Sequence, residues 1–270
     1  MSSAVYGTPT LLGLPYDASS SFLRGAAGAP PVIRQALHSP AGNQWTETGV
    51  DLGANGALAD AGDVPLGTSG AEVRAKIEAA VRTLLDSGSR PIVLGGDHSI
   101  SYPVIRAMRW SHSRLSVLHF DAHPDLYPEF AGDPFSHACP FSRVMEERLA
   151  DQLVQVGIRA MTAAQRAQAE RYAVEVIDMD AWVAGRRPAP RHPVYVSIDL
   201  DAFDPAFAPG VSHREPGGLT VREVLTVLHA LTVPLVGADI VEFNPAQDPS
   251  GMTATLCAKL VKEVAGKMTS

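Results

Sequence analysis

The strongest constraint in this chain is the pentapeptide Asp121-Ala122-His123-Pro124-Asp125. It directly follows the apolar run 115–120, the pattern of a buried strand. Extended backbone sends alternate side chains to one face, so Asp121, His123 and Asp125 can point the same way at a strand end. Carboxylates mixed with imidazole suit Mn²⁺ or a similar divalent ion better than a thiolate-loving metal. Other residues must reach the same point to complete such a site.

The rest of the chain alternates short apolar runs with helical periodicity. Residues 10–14, 57–63, 91–94, 115–120, 153–158, 174–177, 194–198 and 234–241 read as strands, 57–63 weakly. A helix is expected after Pro30-Pro31, since proline is tolerated in a first helical turn. Another spans 71–85, where Val73, Ile77, Ala80, Val81 and Leu84 fall at helical spacing. Further helices are expected over 99–110, 141–149, 162–172, 221–231 and 253–267. Segment 162–172 is rich in Gln, Arg and Glu and reads as a solvated outer helix. Alternating strands and helices indicate βαβ units around a mainly parallel sheet of about eight strands. Continuous apolar strands fit burial on both faces. Neither a linker nor a fixed-period repeat is visible, so 1–270 is expected to be one α/β domain.

Three more polar clusters follow apolar runs: Gly95-Gly96-Asp97-His98, Asp199-Leu200-Asp201, and Glu242. Ligands of open α/β sheets bind outside the carboxyl ends of the strands, and all four clusters fall there. Asp199 and Asp201 again alternate. With His98, Asp121, His123 and Asp125 they make a set rich in carboxylates. One Mg²⁺ rarely takes that many protein ligands. Two ions sharing a carboxylate would, and such a pair stabilises both ends of a displacement.

Each residue also has a plainer reading. A lone Asp after a strand is usually a turn or cap residue. His119 lies inside the strand and reads as a core residue or a ligand's partner. Asp204, before Pro205, reads as a turn former, and Asp97 as a support for His98. His38, His112, His192 and His229 read as surface or packing residues. Gly95-Gly96 lacks a following Gly-Lys-Ser/Thr, so it is not a P-loop. A Gly-x-Ser-x-Gly elbow is missing, which argues against a serine hydrolase.

Composition narrows the class. A net charge of −7 argues against nucleic-acid binding. The two cysteines, Cys139 and Cys257, make neither a disulfide framework nor a zinc motif, which points to a reducing, cytoplasmic setting. Residues 1–6 show no signal-peptide pattern, and no apolar stretch is long enough to span a bilayer.

Gly95-Gly96-Asp97-His98-Ser99, Asp121-Ala122-His123-Pro124-Asp125 and Ser197-Ile198-Asp199-Leu200-Asp201-Ala202-Phe203-Asp204-Pro205 resemble the three signature motifs of the ureohydrolases. That family contains arginases, agmatinases, guanidino-acid hydrolases and formimidoylglutamases. Ser21-Phe22-Leu23-Arg24-Gly25, Ser136-His137-Ala138, Gln155-Val156-Gly157-Ile158-Arg159, the stretch 209–218 and the stretch 237–245 look most like the plant-type arginase branch. The resemblance covers nearly the whole chain. It implies a three-layer arginase-type fold, a centre of two Mn²⁺, and hydrolysis of a small cationic guanidino substrate. L-Arginine is the first expectation, giving urea and L-ornithine. Agmatine comes second, followed by guanidinobutyrate or hydroxyarginine.

Carried over by position, the resemblance implies metal ligands His98, Asp121, His123, Asp125, Asp199 and Asp201, with Asp121 and Asp199 bridging. Asp125 would pass a proton to the leaving amine, Glu242 would pair with the guanidinium, and His137 would shuttle protons. The loop 127–136, with Glu129, Asp133 and Ser136, should meet the far end of the substrate. Asp133 stands where plant-type arginases have Asn, and a carboxylate there favours an amine, which keeps agmatine in play. His213 replaces the Thr of many members and is either a pocket residue or a packed loop histidine. Ala138-Cys139 departs from the Gly that often follows the catalytic histidine, and Cys139 reads as a buried free thiol. A homohexamer or homotrimer is implied. The alternative to an enzyme is a silent, metal-holding scaffold of the same family.

Overall fold

The apolar runs become eight strands: β1 (Pro9–Gly13), β2 (Ala59–Asp63), β3 (Arg90–Leu94), β4 (Ser116–Phe120), β5 (Gln152–Ile158), β6 (Glu175–Asp178), β7 (Val194–Asp199) and β8 (Leu235–Val241). The structure is a computed structural model that describes residues 7–54 and 56–269. The expectation about residues 1–6 lies outside the described residues. The strands form one sheet in the order β2-β1-β3-β8-β7-β4-β5-β6. Every pairing is parallel, so the sheet expected to be mainly parallel is wholly so among the described residues.

Helices cover both faces, as buried parallel strands require. On one face α1 (Ala29–Leu37), α6 (Met179–Val183), α7 (Val221–Ala230) and α8 (Met252–Thr269) share a core that includes Ile33, Trp182, Leu228 and Leu260. On the other, α2 (Gly70–Asp86), α3 (Ser101–Ser111), α4 (Pro140–Glu146) and α5 (Ala163–Arg171) pack through Ile77, Ile105, Phe141 and Ala169. Strand alternation feeds both layers. Leu118 and Phe120 of β4 enter the first core, and Val117 the second. The result is a three-layer α/β/α fold.

Two elements depart from expectation. Helix α6 was not anticipated: at five residues it is too short to show a helical period, and its start depends on Asp178 accepting from Ala181 N. Strand β2 is real but forms an exposed edge, which explains its weak apolar pattern.

The four central strands β3, β8, β7 and β4 are neighbours. Their carboxyl ends carry His98, Glu242, Asp199 and Asp201, and the 121–125 motif. Chain order is broken here, because β7 and β8 insert between β3 and β4. This is the crevice where open α/β sheets place ligands. Gly96 sets the spacing at that crevice. Asp97 N donates to Tyr16 O at 2.8 Å. A Cβ on residue 96 would lie 1.7 Å from the same carbonyl oxygen. Only glycine allows this approach. Gly96→Ala is therefore expected to cost about 1–3 kcal/mol of stability through overpacking, measured as a lowered midpoint in urea unfolding; an unchanged midpoint would mean the two segments part freely.

Candidate active site

His98 shows what the site is built to hold. Its imidazole is fully buried behind the end of β3. Ser197 Oγ gives its own proton to Asp239 Oδ1 at 2.6 Å. Its oxygen is therefore free to accept from His98 Nε2, at 2.9 Å. Asp239 is anchored in turn, accepting from Tyr195 OH and Ser101 Oγ, both at 2.7 Å. This chain places the proton of His98 on Nε2 and turns the lone pair of Nδ1 inward. There Nδ1 meets Asp125 Oδ2 and Asp199 Oδ2 at 3.1 Å, and Asp121 Oδ2 at 3.3 Å. It makes a hydrogen bond to none of them. An acceptor surrounded by acceptors is the donor set of a cation site.

The second half of the site is assembled around His123. Its Nδ1 lies 3.1 Å from Asp201 Oδ2 and 3.4 Å from Asp121 Oδ1. Asp121 therefore turns one oxygen to each imidazole, as a bridging carboxylate must. Asp121 is held in that pose by His119, whose Nε2 donates to Oδ2 at 2.8 Å. Gln155 fixes the tautomer: Nε2 donates to Pro124 O at 2.6 Å, and its other N–H faces His119 Nδ1 at 3.1 Å. The expectation that His119 supports a neighbour fits this contact. Asp199 Oδ1 accepts from Asp201 N at 2.9 Å, and Asp201 Oδ1 from Ala122 N at 3.1 Å.

Electrostatics agree with geometry. Burial, and then the neighbouring carboxylates Asp201 and Asp121, push Asp199 well above the usual carboxylate range. Burial and Asp121 raise Asp201 to about 6. Burial works against an imidazolium at His98, yet the three carboxylates raise its proton affinity well above the ordinary value. The field at this point favours a positive charge, and a proton and a metal compete for the same lone pair. The residues fit one or more divalent ions, and hard oxygen donors with imidazole match the Mn²⁺ class.

Beside this centre lies an acid–imidazole pair. His137 Nδ1 is 2.9 Å from Glu242 Oε1, which also accepts from His98 N at 2.8 Å. Burial disfavours the His137 imidazolium, but Glu242 outweighs it and the pKa rises to about 9. Asp125 and Glu242 both adopt positive φ, 49° and 62°. Left-handed backbone at non-glycine residues costs on the order of 1–3 kcal/mol and clusters at functional sites. Asp97 accepts from Ser19 N and Ser99 N at 2.9 and 3.1 Å, joining the β3 loop to the loop after β1. Burial and Glu242 raise its pKa to about 7.

A cavity of about 500 Å³ opens over the centre. His123, Asp125, Asp199, Asp201, His137, His213 and Glu242 reach its wall, and His98 and Asp121 lie behind it. Asp133 and Ser136 are not on that wall. Asp133 Oδ1 caps Phe135 N at 2.8 Å, and the Ser136 side chain faces Ala138 N in the same turn. The far wall is instead Tyr127, Phe130, Met161, Thr162 and Gln165. The start of α5, expected to be a solvated outer face, belongs to the cavity: Gln165 is only 2% exposed and closes a capping box with Thr162. The sequence does carry that box, a Thr followed three residues later by Gln. Cys139 is a buried thiol whose pKa burial raises to about 12. Asp204 caps a turn, accepting from Ala206 N at 2.9 Å.

Parallel strand ends that gather carboxylates and imidazoles beside an acid–imidazole pair make a site suited to a divalent ion and to proton transfer. The Arginase family model matches residues 8–266, and the chain belongs to that family. It is a metal-dependent hydrolase of guanidino compounds. It is 45% identical to "Arginase 1, mitochondrial" of Arabidopsis thaliana, over 96% of this chain and 81% of the relative. An agmatinase of Bacillus anthracis is 32% identical, over 94% and 89%. The solved arginase from Medicago truncatula superposes with a TM-score of 0.92 at 44% identity, covering 98% of this chain and 89% of that one.

The expected cytoplasmic setting is overturned by these relatives: matching arginases of Arabidopsis thaliana, Oryza sativa and Medicago truncatula are all named mitochondrial. Unpaired cysteines indicate a reducing environment and do not distinguish one such compartment from another.

The chain of bonds behind His98 is open to test. Ser197→Ala removes the acceptor of Nε2–H and leaves the ring free to turn. Mn²⁺ affinity, read by calorimetric titration, is expected to fall about 10- to 100-fold; an unaltered affinity would show that Asp239 does not orient this ring.

Proposed function

We propose that the chain hydrolyses L-arginine to urea and L-ornithine as one ureohydrolase domain spanning 1–270. The observation that carries the reading is the inward lone pair of His98, faced by three carboxylates beside the His137–Glu242 pair. Two Mn²⁺ would be held by His98, Asp121, His123, Asp125, Asp199 and Asp201, with Asp121 shared. Bound there, the ions supply Lewis acidity and lower the pKa of water to near neutrality.

The chain's own groups then bind the substrate and handle protons. Both hydrogen bonds of Glu242 go to Oε1, which leaves Oε2 to pair with the planar guanidinium. That pairing fixes the guanidinium carbon over the carboxylates Asp125, Asp199 and Asp201. Asp125 stands at the cavity wall, where it can hand a proton to the departing amine. His137, charged or neutral within the accessible pH range, resupplies protons.

Arginine is preferred over agmatine because the arginase relatives match at higher identity than the agmatinases. Asp133, whose carboxylate spoke for an amine-ended substrate, turns away from the cavity to cap Phe135 N. Likeness to the family also supports a homotrimer or homohexamer, which light scattering will read.

Urea release with Mn²⁺ should be measured on arginine, agmatine, guanidinobutyrate and hydroxyarginine. Arginine is expected to give the highest kcat/KM; turnover of agmatine without arginine would reverse the assignment. Asp201→Ala and His123→Ala should lose metal and turnover together, whereas a scaffold has no turnover to lose. Chelation should abolish urea release and lower the Tm. At an ion concentration a hundred times Kd the lost stabilisation is about 2.7 kcal/mol.

A further inference from the structure

Ser21 lies on the loop between β1 and α1, more than a hundred residues from His137, yet both line the cavity. Three contacts tie the loop to the imidazole. His137 N donates to Ser19 O at 3.2 Å. Ser21 N donates to His137 Nε2 at 3.2 Å. Ser21 Oγ lies 2.8 Å from the same nitrogen. The loop cannot easily swing away: Ser19 N is held by Asp97 Oδ2, and Leu23 O accepts from Ser212 Oγ and Asn244 Nδ2, both at 2.8 Å.

These bonds define what the hydroxyl can do. A backbone N–H only donates, so Nε2 shows Ser21 N its lone pair. An ionised carboxylate only accepts, so Nδ1 carries the proton that faces Glu242. The fixed neighbours therefore hold His137 in one neutral tautomer, while the charge of Glu242 favours the imidazolium. The Ser21 hydroxyl alone can serve both states. It donates to Nε2 when the ring is neutral, and rotates to accept from Nε2–H when the ring is charged. Its oxygen also lies 3.5 Å from Nε2 of His213. That ring stands over His137, centroids 5.2 Å apart, and packs on exposed Phe22. The His213 ring also meets the edge of His123, centroids 6.1 Å apart, and burial, then the nearby His137, hold it below the usual imidazole range, so it gives up a proton more readily than His137 does. The charged groups facing His137 are Glu242, Asp125 and Asp97.

We propose that Ser21 positions His137 and relays protons between its Nε2 and His213 at the mouth of the cavity. Inward, the Nε2–H bond of a charged His213 breaks, Oγ takes that proton, and the hydroxyl's own proton passes to His137 Nε2. His213 ends neutral and His137 charged, ready to give a proton inside the cavity. The relay rests on the arginine-hydrolase reading, in which His137 has protons to move.

Ser21→Ala tests this cleanly, because it keeps the backbone N–H and removes only the hydroxyl. With arginine and Mn²⁺, kcat is expected to fall by about ten- to a hundredfold, the lower reach of proton-transfer effects, with KM within roughly twofold of wild type, as for a group that acts after binding. The His137 imidazolium loses its acceptor, so its pKa falls and the matching limb of the kcat–pH profile moves to lower pH. Ser21→Thr, which keeps a hydroxyl, should restore both. Nitrogen NMR of the imidazole in metal-free protein gives a readout without turnover: the His137 titration midpoint should drop in Ser21→Ala. Superimposable pH profiles and kcat would overturn the relay. So would a loss of kcat that tracks a lowered Tm and is not restored by Ser21→Thr. If wild type releases no urea, the functional reading fails, and the imidazole titration still decides whether Ser21 governs His137.

Discussion

Three carboxylates crowded against one buried lone pair, with a fourth close by, are the constraint on which this structure depends. Asp121, Asp125 and Asp199 surround His98 Nδ1, and Asp201 stands across from Asp121. Taken out of water, like charges at this spacing repel strongly, and burial with Asp201 and Asp121 pushes Asp199 well above the usual carboxylate range. Positive charge at the centre resolves that repulsion. The eight-stranded sheet brings the carboxylates together because its four middle strands end side by side. Parallel strands put all their carboxyl ends on one edge, and that edge is where open α/β sheets hold ligands.

Holding such a centre open demands stiffness around it. His98 and His119 each have a tautomer set by a partner that can act in only one way. Pro124 O compels the amide of Gln155 to donate, Gln155 then sets His119, and His119 sets Asp121. Asp239 compels Ser197, and Ser197 sets His98. Chains of this kind are strong only when every member is satisfied. Tyr195 and Ser101 complete the one behind His98. The positive φ of Asp125 and Glu242 shows the same economy: backbone strain is accepted where it aims a carboxylate, and Glu242 N is still bonded to Gly96 O at 2.9 Å.

What could be read from the amino-acid order, and what could not, divides along local and non-local lines. Alternation at Asp121, His123 and Asp125 is a property of neighbouring residues, so the facing of those side chains was legible. So were the apolar runs, because parallel strands buried on both faces carry no polar alternation to confuse them. Helix α6 was invisible at five residues, and the β2 edge was faint because it is exposed. The cavity wall was the larger loss. Asp133 was expected to meet the substrate because the family resemblance carries the loop 127–136 there, but a turn engages its carboxylate with Phe135 N. Gln165 looked solvated because its helix is polar, yet it folds back on Thr162 and is buried at the cavity wall. Ser21 and His137 meet only through the fold, and neither carries a local sign of the other.

The cavity is therefore asymmetric in the precision it can impose. Its inner end is lined by groups whose poses are over-determined: Glu242 by His98 N and His137, Asp201 by Ala122 N and Asp199 by Asp201 N. Its outer end combines aromatic and neutral groups from two separate segments, Tyr127 and Phe130 on one and Met161, Thr162 and Gln165 on the other. Discrimination at the inner end follows from buried charges that a substrate without a guanidinium would leave unpaired, a large penalty. At the outer end Asp133 is not on the wall and Arg159 is, its guanidinium bonded to Asp201 O and Glu215 O, so shape, neutral donors and this cation act together on substrates that share the guanidino group. The groups that can move protons and the groups that form the far wall thus stand at opposite ends of one cavity.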